Sequence, residues 1–104
     1  MRALWIGLVE VRRLPDSKLL KGRKGAFVNV ITWASTAVEF RRKVESLATS
    51  IKLFVVQVED AEPLSQRKRT FAIDEELEAL ADEAYGNPNA ILYGTFHTYR
   101  RDEA

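Results

Sequence analysis

Two runs of alternating apolar residues constrain this chain more than anything else in it. Leu4 to Arg12 places Leu4, Ile6 and Leu8 on one side and Trp5, Gly7, Val9 and Val11 on the other, with seven of the nine residues apolar. Ala26 to Trp33 repeats the pattern, with Phe27, Asn29, Ile31 and Trp33 opposed to Ala26, Val28, Val30 and Thr32. Side chains alternate across a strand, so a segment apolar at both parities reads as a strand buried on both faces. At 104 residues the chain is long enough for one cooperative core and reads as one domain, 1–104.

Residues 12–25 break the alternation. Pro15-Asp16-Ser17 is turn chemistry, Leu19-Leu20 a short apolar anchor, and Gly22-Arg23-Lys24-Gly25 a second turn. A mobile loop is expected here, with one helical turn near Lys18–Lys21.

After Trp33 the period becomes helical. Ala37, Phe40, Val44, Leu47, Ala48 and Ile51 share a face, Thr36 and Glu39 form a capping box, and Glu39 precedes Lys43 by one turn. Leu53 to Glu59 is β-branched and aromatic, a third strand that Asp60-Ala61-Glu62-Pro63 is expected to end. Leu64 to Thr70 is polar and basic and reads as a loop, after which Phe71 and Ile73 re-enter the core. Asp74 caps a helix over Glu75–Tyr85 that turns Leu77, Leu80, Ala81 and Ala84 inward. Gly86 is expected to stop it in the left-handed conformation. Ala90 to Tyr99 reads as one last strand with Ile91, Tyr93, Thr95, His97 and Tyr99 on one face, and 100–104 as a frayed tail.

The order strand, strand, helix, strand, helix, strand implies an α+β domain. Its sheet is four-stranded and mainly antiparallel with two helices on one face, either ferredoxin-like or a ββαβαβ variant. Pairing of Gln66–Ile73 as a strand would decide for the former. The uncovered face would then carry Trp5, Phe27 and Trp33 as a binding surface, and a homodimer through that face or through an edge strand is expected.

Composition narrows the chemistry. The absence of cysteine excludes disulfides, thiol catalysis and cysteine-ligated zinc. The apolar stretch at the N-terminus is too short for a signal peptide or a membrane span, so the expectation is a cytoplasmic protein without membrane contact. Net charge is +1, yet residues 1–24 carry seven Lys/Arg against two acids, and residues 71–91 carry six acids and no Lys/Arg. This asymmetry suits an acidic partner, whereas the near-zero total argues against a dedicated nucleic-acid binder.

No strong catalytic motif is present. The single histidine, His97, could serve as an acid–base group with Tyr99 and Tyr93 on the same strand face. Arg23 and Lys24 between glycines could meet phosphates or nucleic acid through the 12–24 loop, but the context is not that of a known clamp. No residue spacing matches a metal site or a nucleotide-binding loop, and no cofactor is implied. The leading expectation is therefore a domain that acts by binding, as a homodimer or as an accessory partner of another protein. A ligand pocket or enzyme around His97, and nucleic-acid binding through the loop, are the alternatives.

Overall fold

The computed structural model describes residues 2–18, 20 and 23–99, and in it the two alternating runs pair with each other. Strand β1 (Ala3–Arg13) and strand β2 (Gly25–Ala34) run antiparallel in one unbroken register from Ala3 opposite Ala34 to Arg12 opposite Gly25. Strand β3 (Leu53–Pro63) lies on the other side of β1, and β4 (Ile91–Tyr93) and β5 (His97–Tyr99) both lie along β2. Every pairing is antiparallel. The chain is α+β, with helices α1 (Ala37–Ser50), α2 (Leu64–Thr70) and α3 (Glu75–Tyr85) among the described residues.

The helices cover both faces of the sheet, not one. Val9, Val11, Ala26, Val28 and Val30 face α1, where Phe40, Val44 and Ala48 close the larger core. Leu4, Ile6 and Ile31 face the other way, against Leu64 of α2 and Ala81 and Ala84 of α3. The double apolar parity of β1 and β2 thus has a simple cause: each face meets its own helix layer. Gly7 fits the first layer, because a Cβ there would stand 2.7 Å from the ring of Phe40, which is fully buried.

Both long helices carry the caps their sequences imply. The Thr36 side chain accepts from Glu39 N at 3.1 Å, and that of Asp74 from Leu77 N at 2.9 Å. Glu39 accepts from Ser35 N, one residue before the cap. Lys43 does not turn to Glu39; it donates to the Trp33 carbonyl at 2.6 Å, and Arg41 and Glu45 form the one-turn ion pair at 3.5 Å.

The structure differs from expectation in other places too. β3 continues through Asp60-Ala61-Glu62 to Pro63, because an irregularity in its pairing with β1, between Leu8 and Ile6, absorbs Asp60 and Ala61, with Asp60 at φ 53°. Residues 64–70 form a helix: Leu64 is buried, and Arg67 reaches back to Glu62 and to the Asp60 carbonyl. Gln66–Ile73 consequently contains no strand, so residues 26–99 read strand, helix, strand, helix, helix, strand, strand, with three helices in place of two. Phe71 stays 62 % exposed while Ile73 packs on the second core. Gly86 ends α3 at φ −86°, within right-handed space, its N–H bonding the Glu83 carbonyl.

The last strand is also broken. Tyr93 pairs with Val30, but His97 pairs with Phe27, a register one residue out of step across Gly94–Phe96. Because side chains alternate, that one-residue offset sends β4 and β5 residues of like parity to opposite faces. The expected helical turn near Lys18–Lys21 and the tail 100–104 fall largely outside the described residues.

Candidate functional site

The residues singled out from the sequence do not converge on one site. Trp5 lies on the α1 face against Phe40, with ring centroids 6.2 Å apart. Trp33 lies under α3, its indole N–H donating to the Ala84 carbonyl at 2.9 Å and its ring edge-on to Tyr85. Phe27 is on the same face as Trp33 but at the other end of the sheet, 6.0 Å from the Tyr99 ring. Tyr93 packs on Phe96 at 5.3 Å on the α1 side, opposite His97 and Tyr99. The strand break therefore separates Tyr93 from the other two.

His97 is exposed and stands near Glu76 at the start of α3. Glu76 accepts from Thr95 N at 3.0 Å and Thr95 Oγ1 at 2.6 Å. These bonds, and to a lesser degree the charge of His97, hold the Glu76 carboxyl below its usual range. Geometrically, Glu76 fastens the β4–β5 break to α3. Among the described residues, no three acidic or histidine side chains gather as metal ligands do.

Tyr99 belongs to a polar cluster that no motif revealed. Its Oη donates to Glu10 Oε2 at 2.5 Å, and Gln57 Nε2 donates to Glu10 Oε1 at 3.1 Å. Glu10 is only 5 % exposed. The ring reaches Glu10 by passing over Gly25, where a Cβ would meet Tyr99 Oη and the Val11 carbonyl at 2.6 Å. Burial, then the bond to Glu10, hold the Tyr99 phenol above its ordinary value, with Arg12 pulling the other way. The cluster ties β3, β1 and β5 together across the sheet, and Gly25 serves it by being small. Arg23 and Lys24 lead into that glycine; backbone bonds to Leu20 and Tyr99 hold them, and Gly22 is outside the described residues.

The surface best formed for contact lies elsewhere, at β3. It is the outer strand of the sheet, and none of the described residues pairs with its far side. Phe54 and Val56 on it are 44 % and 40 % exposed. Beside it, the first turns of α1 leave a groove of about 360 Å³ lined by Ala37, Val38, Arg41, Arg42, Val58 and Ala61 among others. Val38 is 68 % exposed. A second groove, about 410 Å³, lies on the opposite face between Ile6, Ile73, Leu77 and the Glu62–Arg67 pair. Sequence reasoning missed this region, although two signals were present: Val38 is an apolar residue on the outward side of α1, and Phe54 to Val56 are apolar at both parities.

The sequence matches no family model, and no curated protein or solved structure is similar enough to count as a match. Among the described residues, no helix is long and apolar enough to cross a membrane.

Proposed function

We propose that this protein acts by binding another protein, taking an extended segment of it onto the outer edge of β3. The observation that carries this reading is the edge itself: eleven residues along whose outer side no described residue pairs, flanked on the α1 side by a groove that Val58 and Ala61 help to line. Strand addition of this kind draws affinity from main-chain hydrogen bonds and selectivity from pockets that take every second side chain. The two irregularities in β3 agree with such a role. They fall at Val56 and at Asp60–Ala61 and break the edge into short pairable stretches, which guards against indiscriminate pairing.

In this reading the domain serves as an accessory or regulatory partner in the cytoplasm. Self-association through the same edge is the competing form of this reading.

The test is a titration of ¹⁵N-labelled protein with short synthetic strand peptides of varied composition, followed by NMR. Docking at this edge shifts the amides of residues 53–59 together with those of Val38, Arg41 and Arg42. Peptides that shift none of these, or that shift chiefly the β4 and β5 amides, overturn the proposal.

A further inference from the structure

The irregularities of β3 are placed symmetrically within it. Val55 lies opposite Val11 and Gln57 opposite Glu10, which leaves Val56 as a surplus residue. Glu59 lies opposite Leu8 and Glu62 opposite Ile6, which leaves Asp60 and Ala61 against Gly7. Ala61 packs toward α1, as Gly7 does, so Asp60, at φ 53°, is the second surplus residue. Each surplus residue stands two positions from Val58, the middle of the eleven-residue strand. The faces run in mirror order about the same point. Leu53, Val55, Val58, Ala61 and Pro63 share the α1 side, and Phe54, Gln57, Glu59 and Glu62 the other.

A strand that pairs edge to edge with its own copy about an axis normal to the sheet runs antiparallel and keeps like faces together. A surplus residue inverts the parity of everything after it, so most registers of β3 on itself set an α1-side residue against one from the other side. A twofold at Val58 does not. It opposes Val58 to itself, Gln57 to Glu59, Val56 to Asp60, Val55 to Ala61, Phe54 to Glu62 and Leu53 to Pro63. Faces agree along the whole strand, and each irregularity meets the other. The remaining registers that keep faces in step overlap over at most eight residues, and every one longer than three sets a surplus residue against a regular one.

Resting on the strand-addition reading above, we infer that a second copy of this chain takes the edge when no other strand does, β3 against β3 about a twofold axis through Val58. Register selects this partner, not charge: the flank away from α1 is mixed, with Arg12 and the cations of α2 beside Glu59 and Glu62. The opposed side chains are compatible. The Gln57 amide meets the Glu59 carboxylate of the second copy, and Phe54 meets a Glu62 already held by Arg67. The two Glu59 residues are diagonal neighbours, about 7–8 Å apart, a like-charge contact that weakens the pair. Because Val58 and Ala61 also line the α1 groove, the grooves of the two copies adjoin across the axis.

The chain has no cysteine, so introduced cysteines read the register directly. Val58→Cys opposes itself, within the Cα separation of about 4.4–6.8 Å that a disulfide spans. Val56→Cys is displaced from its copy by four residues, roughly 13 Å along the strand. Under mild oxidation, Val58→Cys should form covalent dimer about tenfold faster than Val56→Cys. The exposed variants Gln57→Cys and Glu59→Cys give the same reading without touching the groove: mixed, they should cross-link about tenfold faster than either alone. In light scattering, the mass of the unaltered protein should rise with concentration toward a dimer. Gln57→Lys, which faces Glu59 twice per dimer, should tighten it about three- to tenfold, and Gln57→Glu should loosen it as much. Circular dichroism checks that each variant is folded. Cross-linking that is equal at positions 56 and 58, or a dimer that responds to neither Gln57 variant, overturns the inference. So does a protein that stays monomeric to about 1 mM. In those cases, strand peptides that still shift the amides of residues 53–59 leave strand addition standing, and peptides that shift none of them remove both.

Discussion

The two edges of the sheet are built in opposite ways. The β4–β5 edge consists of two three-residue strands, yet side chains fasten it at several points: Tyr99 to Glu10, Thr95 to Glu76, and Gly94 N to the Asn29 carbonyl at 3.0 Å. The β3 edge is eleven residues long; Gln57 ties it to Glu10 and Glu62 to Arg67, but no described residue pairs along its outer side. A short strand cannot hold itself by backbone pairing alone, so its stability depends on long-range side-chain bonds. A long strand already anchored to β1 has its outer side left over. The contrast separates residues that maintain the fold from residues available for contact, and substitutions should separate them too.

The largest effect is expected at Gly25. In Gly25→Ala, the new methyl group meets the Val11 carbonyl, which cannot rotate away, as well as the Tyr99 hydroxyl. The expected loss is about 3 kcal/mol in urea unfolding. Tyr99→Phe should cost about 1.5–2 kcal/mol, because Glu10 loses one of its donors while staying buried. Combined, the two substitutions should cost less than their sum, since they strike the same contact. Additivity would mean that Tyr99 does not fasten this edge.

The Tyr99 contribution also carries a pH signature. Its phenol is raised above the unfolded value of about 10, so the neutral form is the one the fold favours. The stability difference between wild type and Tyr99→Phe should therefore be constant below about pH 10 and shrink as pH rises past it. Glu76 works with the opposite sign. Its folded value lies below 4.5, so its contribution is present above that pH and is lost as pH falls through the lowered value. Wild type should exceed Glu76→Gln in urea midpoint at neutral pH, and the gap should close in acid. A gap that does not narrow at all as pH falls below 4.5 would detach Glu76 from the β4–β5 break.

These cases also explain which elements are legible in the sequence. Strands β1 and β2 and helices α1 and α3 were legible because period and caps are local properties of the chain. Helix α2 was not. Its residues are polar, and its fold-specific support is Leu64 in the second core together with Arg67 turning back to Asp60 and Glu62. The break at Gly94–Phe96 was hidden because Tyr93 and His97 share parity on paper, and only pairing with β2 exposes the offset. The tie between Glu10 and Tyr99 spans 89 positions, so nothing near either residue announces it. An acid inside an otherwise apolar strand was the one available hint.

The smallest stability effect is expected at the bare edge, and it is the most informative. Val56 sits at an irregularity of β3 with 40 % of its surface exposed, and its neighbours Val55 and Val58 keep the contact with the α1 core. Val56→Lys removes little buried area and puts a hydrated charge where the added strand would lie. Its unfolding free energy should stay within about 0.5 kcal/mol of wild type, as for exposed sites generally. Its affinity for strand peptides that dock at β3 should fall at least tenfold, because a protruding lysine is a known guard against edge pairing. Loss of stability without loss of binding would reverse the assignment, making β3 a structural edge and leaving the contact surface to be sought on the Phe27–His97 side of the sheet.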